Sequence, residues 1–492
     1  MSDAARNDSL LDRFLVLRTA VPELWITFAL KLIVNLAYKV MNMTLVLWLS
    51  RDLGFDDVHA GYIVTGWAAS MTLFTVAVGS LTDAIGLRRS FFLGVAICCV
   101  SRFVMTFFAA KWLVIVGGML PLALGEALCT PVLIAAVRRY STTAQRSISF
   151  SILYVMMNVG FFAASWLFDA VRGRMGEHGQ FAIPLVGHGL TTYQTLFFVS
   201  LLVEIVLVPI VYFGMREGVE VTDEGVQVVA HEMKRVAGDS LARSVWVACR
   251  DALRESGAIF AGLWKQPGFY KFLAFLGFAS CMRLIMLHMD YTYPKFGIRE
   301  LGDGAPIGKL WGINSLLIIV FVPLVGAFTQ KIPAYRMAMA GTTIGAASVF
   351  IMTLPLTIFQ PLADGFLGRW IGNGYLGLQG TPHPYYMMIF LFVVMLSVGE
   401  AIYSPRLYEY AASIAPRGQE ASYMSISYLP YFLAKLVVSA TSGHLLEAYC
   451  PEHGPRDSQT LWLIIALCTM IAPIGLISLQ RFIRVKEEGR DE

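Results

Sequence analysis

Glu400 follows the apolar run MMIFLFVVML and precedes Ser404-Pro405, in a segment that reads as one helix. A charge near a bilayer centre costs about 2.5–3.5 kcal/mol on insertion scales, so such a group faces a partner or a water-filled path. Its chemistry is that of a proton carrier or of an anchor for a cation; a structural pair with Lys435 is the plainer reading. Glu126, in GEALCTP, lies four residues before Thr130 and on the same helix face. It reads either as an ion-coupling acid or as a structural partner of Arg102 or Lys39. Glu204 lies within FFVSLLVEIVLVPIVYF, where a protonated, hydrogen-bonded carboxyl is the plainer reading. Lys31 and Lys39 in KLIVNLAYK are eight residues apart, within about 80° of each other around a helix axis. Lys39 is the cavity candidate, whereas Lys31 can snorkel toward one side. Arg283, His288 and Asp290 share the segment CMRLIMLHMDY. His288 titrates near neutrality when unperturbed, so the trio reads as an outer gate or proton relay, with a wetted interfacial cluster as the plainer alternative. No nucleophile–base pair, metal-ligand spacing or phosphate-binding glycine loop accompanies these charges. An enzyme, a metal centre and direct ATP use find no support, and no cofactor is expected.

The elements that must position these groups follow from composition. The 492 residues are 57% hydrophobic and only 15% charged, with a mean hydropathy of +0.63. Repeated apolar runs of about twenty residues match a hydrocarbon core of roughly 30 Å. They give about twelve spans, near 24–50, 61–82, 89–110, 112–138, 147–170, 193–215, 269–294, 306–329, 335–359, 384–412, 421–447 and 459–481. Residues 1–23 lack the apolar core of a signal peptide and read as a cytosolic tail, as do residues 483–492. Between two six-helix halves, 24–215 and 268–482, lies a polar linker, 216–267. Within it SLARSVWVACRDALRESGAIFAGLW spaces its apolar residues as an amphipathic helix on the inner membrane face. Inner loops and tails hold roughly twenty Lys and Arg against about eight outside, which places both termini in the cytosol, most simply at the cell's inner membrane. The net charge of +4 is too small and dispersed to argue for nucleic acid. Cys98, Cys99, Cys129, Cys281 and Cys468 sit in apolar runs, and Cys249 and Cys450 have no partner at ligand or disulfide spacing.

A repeated loop supports the two halves. GSLTDAIGLRR (Gly79–Arg89) joins spans two and three, and GAFTQKIPAYR (Gly326–Arg336) joins spans eight and nine. Gly79 permits close helix packing, Asp83 can cap a helix or pair with a base, Gly86 turns the chain, and Arg88 and Arg89 hold the loop at the cytosolic side. The loop resembles the G-x-x-x-D-x-x-G-R-R signature of the major facilitator superfamily, in which it latches the halves in one state. The first basic position is Leu87 here, and Gln330 replaces the acid of the second copy. The resemblance implies an all-α membrane protein of twelve transmembrane helices in two six-helix halves.

Three further segments resemble the proton-coupled oligopeptide transporters: FSILYVMMNVG (Phe150–Gly160), NSLLIIVFVP (Asn314–Pro323) and GEAIYSP (Gly399–Pro405). In that family the corresponding Asn, Asn and Glu meet around the peptide's amino group, which by position implies Asn158, Asn314 and Glu400. An ammonium has three donors, and one carboxylate with two amide oxygens matches it. Tyr38, Tyr154 and Tyr403 are candidates to line a cavity, with plain helix packing as the rival. The family's E-x-x-E-R cluster on span one is missing: Lys31, Val34 and Asn35 stand in its place, Lys39 replaces the second tyrosine, and Thr130 replaces the span-four lysine. The sequence therefore points to secondary transport of a small amine-bearing solute, a short peptide or peptide-like compound, by alternating access. Protons are the expected coupling ion, with Glu126, Glu400, His288 and Asp290 as candidate carriers. The expected partners are the small-molecule substrate, protons and membrane lipids, and the chain is expected to work as a monomer. A carrier or exporter of another solute, or a non-transporting sensor on the same scaffold, remains open.

Overall fold

Each expected apolar run becomes a helix in the computed structural model, which describes residues 16–182, 189–216, 218–222, 225–228, 250, 267–329, 332–414 and 429–483. The first six helices are Pro22–Arg51, Asp57–Ile85, Leu87–Phe107, Leu113–Arg139, Thr143–Met175 and Thr192–Gly214. The second six are Pro267–Tyr291, Ile307–Phe328, a bent pair made of Tyr335–Thr353 and Leu356–Asp364, then Pro384–Ile414, Leu429–Tyr449 and Ser458–Ser478. They are spans one to twelve below. Among the described residues, nine are long and apolar enough to cross a membrane, or ten if the bent pair counts as one. Spans two and eleven are helical over 29 and 21 residues.

Span nine departs from the continuous helix expected over 335–359, bending by 101° after Thr353. Pro355 has no N–H to give and pushes Leu354 into an extended conformation (φ −75°, ψ 153°), which stops the helix there. Gly86, at φ +88°, makes the break between spans two and three. Gly79 and Asp83 fall in the last turns of span two, where side chains lie outside the described residues, as does Gln330. In the linker, Val219–Thr222 pairs antiparallel with Gly225–Val228, a hairpin with no counterpart in the sequence reading. Apart from Arg250, the expected amphipathic helix lies outside the described residues.

The chain divides into two compact units. The first comprises Met1–Tyr38, Ser70–Gly160 and Phe198–Arg254. Its core gathers Phe28 and Val34 of span one, Phe91 and Val95 of span three, Val132 and Leu133 of span four, and Leu207 of span six. Gly160 closes the span-five motif against span one: a Cβ there would lie 2.5 Å from Leu32 O. The second unit comprises Lys39–Ala69, Phe161–Phe197 and Glu255–Glu492. It thus draws the ends of spans one, two, five and six that lie away from the chain termini onto the later helices. Large apolar side chains such as Trp112, Phe213 and Phe328 are about four-fifths exposed, as residues that face lipid must be.

Spans nine and ten of the second unit meet backbone to backbone. A Cβ on Gly341 would lie 2.6 Å from Tyr403 N, and one on Gly399 would lie 2.6 Å from Gly345 N and 2.8 Å from Gly341 O. Small residues at such seams let helices approach in lipid, where packing replaces the hydrophobic effect. Because the obstacle is backbone, Gly399→Val is expected to lower stability by about 1–3 kcal/mol or more, seen as a lower unfolding temperature in detergent. An unchanged melt would show that the seam can open.

Candidate functional site

Span ten carries Ser397, Glu400 and Tyr403 at three-residue spacing, so they share one helix face. That face meets span eight. Asn314 Nδ2 donates to Glu400 Oε2 at 2.9 Å and to Ser397 Oγ at 3.1 Å, while the Ser397 hydroxyl donates to Val393 O at 2.7 Å. Both amide N–H bonds of Asn314 thus point at span ten, leaving its carbonyl oxygen as the group that can accept from a ligand. Glu400, Asn314 and Ser397 are all buried. The sequence-predicted pair Asn314 and Glu400 is brought together. Lys435, the plainer partner for Glu400, instead holds its ammonium 4.6 Å from the Trp67 ring centroid.

Span seven supplies the next group. Lys39 Nζ donates to Asp290 Oδ1, joining span one to span seven within the second unit. The same ammonium lies 5.4 Å from the ring centroid of Phe161 and 5.9 Å from that of Trp311, an aromatic surround that favours a cation. Two turns before Asp290 stands Arg283, its guanidinium carbon 6.0 Å from the Tyr403 ring centroid. Lys39 and Arg283 are both within electrostatic reach of Glu400. His288 is buried, not wetted, and its Nδ1 shares a hydrogen bond of 2.8 Å with Thr292 Oγ1.

The first unit holds a separate buried cluster. Arg102 of span three donates from Nη2 to Glu126 Oε1 at 2.6 Å and from Nε to Ser200 Oγ at 2.8 Å, and its Nη1 lies 3.4 Å from Glu204 Oε2. Arg102, one of the partners weighed for Glu126, is thus bonded to it. Glu204 is an ion-pair member at 1% exposure, although its sequence context suggested a plain neutral carboxyl. Cys98, Cys129 and Glu204 present ligand atoms within 4.8 Å of one another. The guanidinium already on Glu204 puts a fixed positive charge where a metal cation would have to sit. Asn158 donates to Tyr154 O at 3.0 Å on its own helix, and Tyr38 and Tyr154 are half-buried in the same unit. At the span two–three loop, Arg88 Nη2 donates to Tyr212 O at 2.6 Å and Arg89 is exposed.

A third set of contacts escaped the sequence reading. At the side opposite the chain termini, Asp57 at the start of span two takes Lys295 Nζ on Oδ1 at 2.7 Å and Arg299 Nη1 on Oδ2 at 2.8 Å. Lys295 also donates to Ser50 Oγ at 2.5 Å, and Arg299 to Cys450 O at 2.6 Å. Burial alone would raise the Asp57 pKa, but Lys295 and Arg299 outweigh it and hold the carboxyl below the usual range. Nearby, Asp169 of span five accepts from Gly308 N at 3.0 Å and Lys309 N at 2.6 Å, capping the N-terminus of span eight from another helix. Arg172 pairs with Asp169 at 3.2 Å and with Glu177, and donates to Ala305 O at 3.1 Å. The only hint in the sequence was Lys295 and Arg299 at four-residue spacing, on one face of the short helix Tyr293–Leu301.

This scaffold has known counterparts. A POT family transporter solved in complex with 5-aminolevulinic acid is 14% identical, with 94% of this chain and 96% of that chain covered at a TM-score of 0.65. A POT family transporter in complex with a thioalcohol conjugated peptide gives 14%, 94%, 96% and 0.66. The nucleoside transporter NupG gives 12%, 93%, 100% and 0.63. At these identities the likeness is one of fold. No curated protein is matched by sequence. The family model that matches spans residues 27–381, the greater part of the chain, and these helices, loops and buried charges are therefore those of a transporter that belongs to the Major Facilitator Superfamily.

Proposed function

We propose that the chain carries a small amine-bearing solute, a short peptide or peptide-like compound, across a membrane by alternating access, and that protons drive it. The observation that carries this reading is the buried carboxylate of Glu400, held by Asn314 on a face shared with Ser397 and Tyr403. A desolvated carboxylate beside an amide oxygen fits an ammonium, with charge-assisted hydrogen bonds about twice as strong as neutral ones. Both termini lie in the cytosol in this reading, and the monomer at the cell's inner membrane is the working form.

The Lys39–Asp290 pair supports the proton step. A proton on Asp290 cancels the charge that holds Lys39 and frees span one from span seven, while deprotonation restores the pair. Glu126, shared with Arg102 and Glu204, is the second candidate carrier. The bound 5-aminolevulinic acid of one structural counterpart is an amine-bearing solute, in keeping with this choice. The nucleoside transporter among the counterparts favours a second reading, a carrier of a different small polar solute on the same scaffold.

The test is uptake of a dipeptide mixture into proteoliposomes with and without an inward proton gradient. Wild-type protein is expected to concentrate dipeptide only with the gradient. Asp290→Asn is expected to keep gradient-free counterflow while losing the gradient response. Uptake by wild type that ignores the gradient would refute proton coupling, and the absence of any dipeptide counterflow would refute the peptide reading.

A further inference from the structure

The segment that follows the bend of span nine is apolar on two sides. Phe359, Ala363, Ile371 and Leu376 are buried within the second unit. Ile358, Phe366 and Trp370, set four and eight residues apart, are instead 53%, 73% and 60% exposed. The segment is built rather than loose. Asn373 Nδ2 donates to Leu378 O and to Gly380 O, both at 2.7 Å, and Gln360 Nε2 to Asp364 Oδ1 at 3.0 Å. A Cβ on Gly372 would collide with the Pro382 ring. Held in this shape, the two rings cannot turn inward, and a contiguous apolar face of this kind calls for an apolar partner.

Geometry says what that partner is. From Tyr335 to Thr353 a helix rising 1.5 Å per residue covers about 28 Å, close to a hydrocarbon core of roughly 30 Å. The apolar stretch of span ten begins at Pro384. Residues 354–383 therefore start and end at one boundary of the bilayer, on the side opposite the chain termini. Membrane helices tilt by about 20° on average, so the arm Leu356–Asp364, turned by 101° from span nine, runs along the membrane plane rather than out into water. The rest of the segment is held at the same depth. Tyr375 Oη donates to Lys309 O at 3.1 Å, just where span eight enters its apolar stretch. Aromatic rings favour that layer, and Arg369, exposed beside Trp370, can lay its stem in it with its charge at the phosphates.

We propose that residues 354–375 are an interfacial arm docked in the phospholipid leaflet opposite the chain termini, with Ile358, Phe366 and Trp370 in its headgroup–acyl boundary. The partner is the lipid layer itself and not one headgroup, since the arm carries a single acid, Asp364, and a single base, Arg369. Tyr375 also meets Trp166 of span five edge-on, with ring centroids 5.6 Å apart. What the arm rests on therefore bears directly on the ends of spans five and eight, the latter being the helix that carries Asn314.

The experiment uses the full chain, one copy per phospholipid nanodisc, with two labels read residue by residue by mass spectrometry. One is a phospholipid with a diazirine high on its acyl chain, whose carbene inserts into whatever it touches. The other is hydroxyl radical generated in the water. Lipid adducts at Phe366 and Trp370 are expected within about threefold of those at the lipid-facing Trp112, and none at His453, exposed in the loop after span eleven. Radical oxidation of the two rings, corrected for intrinsic reactivity, is expected to be about tenfold slower than that of His453. Rapid oxidation without lipid adducts would place the face in water and overturn the proposal. Escape from both labels would mean that the chain itself covers the face, and would overturn it equally. So would loss of the lipid adducts in discs holding two copies, which would make a second chain the partner.

Discussion

Glu400→Gln is expected to abolish binding and uptake of amine substrates while the protein remains folded. Glutamine keeps the size of the side chain and an oxygen that can accept from Asn314, whose amide now lies 2.9 Å from the carboxylate. What it removes is the charge. Losing one member of a buried, hydrogen-bonded charge pair with a ligand costs about 2–5 kcal/mol, a weakening of roughly thirty-fold to several thousand-fold. The folded state does not suffer equally, because a neutral amide is easier to bury than a carboxylate. Calorimetric titration of the purified variant, with its melting temperature as the control for folding, separates the two effects. Unchanged affinity would remove Glu400 from the site.

Asp57→Asn is expected to have the largest conformational effect. Asp57 lies between two cations, the buried Lys295 and the half-buried Arg299. Replacing it leaves both without their anion, and breaking a buried pair from one side costs about 3–5 kcal/mol. That penalty falls only on conformations in which these side chains are packed together, so the population moves toward those in which they part. Cys450 gives a native reporter, since its thiol is buried and its carbonyl accepts from Arg299. Maleimide labelling of Cys450, read site by site by mass spectrometry, is expected to rise about tenfold or more in Asp57→Asn, well within what the lost pairing allows. Labelling equal to wild type would show that the contact is dispensable. The sign of the pH effect follows from the depressed pKa of Asp57. Its contribution is complete above the ordinary value of 3.8 and is lost only as pH falls through the lower folded value. Between about pH 5.5 and pH 8 wild-type labelling of Cys450, taken relative to a free thiol at the same pH because maleimide attacks the thiolate, is therefore expected to be flat, and on the proposed coupling the driving proton acts elsewhere.

The spans were legible in the sequence because a bilayer imposes a length and a composition that no loop satisfies. Glu400 was legible for the same reason: a carboxylate in an apolar run stands out. Its bond to Asn314 required the family resemblance, since nothing local links positions 86 residues apart. The Lys39–Asp290 contact, across 251 residues, joins two groups that were each singled out but not paired. Asp57 was passed over because an acid at the start of a helix reads as an ordinary N-terminal charge, and its partners come from the short helix beyond span seven. The bend of span nine was overlooked although Pro355 announces it, because hydropathy averages over a proline without registering it.

The glycine seam between spans nine and ten bears on energetics as well as packing. Gly341, Gly345 and Gly399 leave no side-chain cushion, so the span that carries Glu400 cannot slide along its neighbour without breaking backbone contact. The carboxylate is thus fixed to a rigid slab and presents the same geometry whichever way the protein opens. If Glu400 anchors the solute as proposed, such a carrier is expected to hold it about equally well from either compartment. On the ion-coupled reading proposed above, the slope of accumulation then comes from the ion, and with that ion at equilibrium the protein only equilibrates its solute.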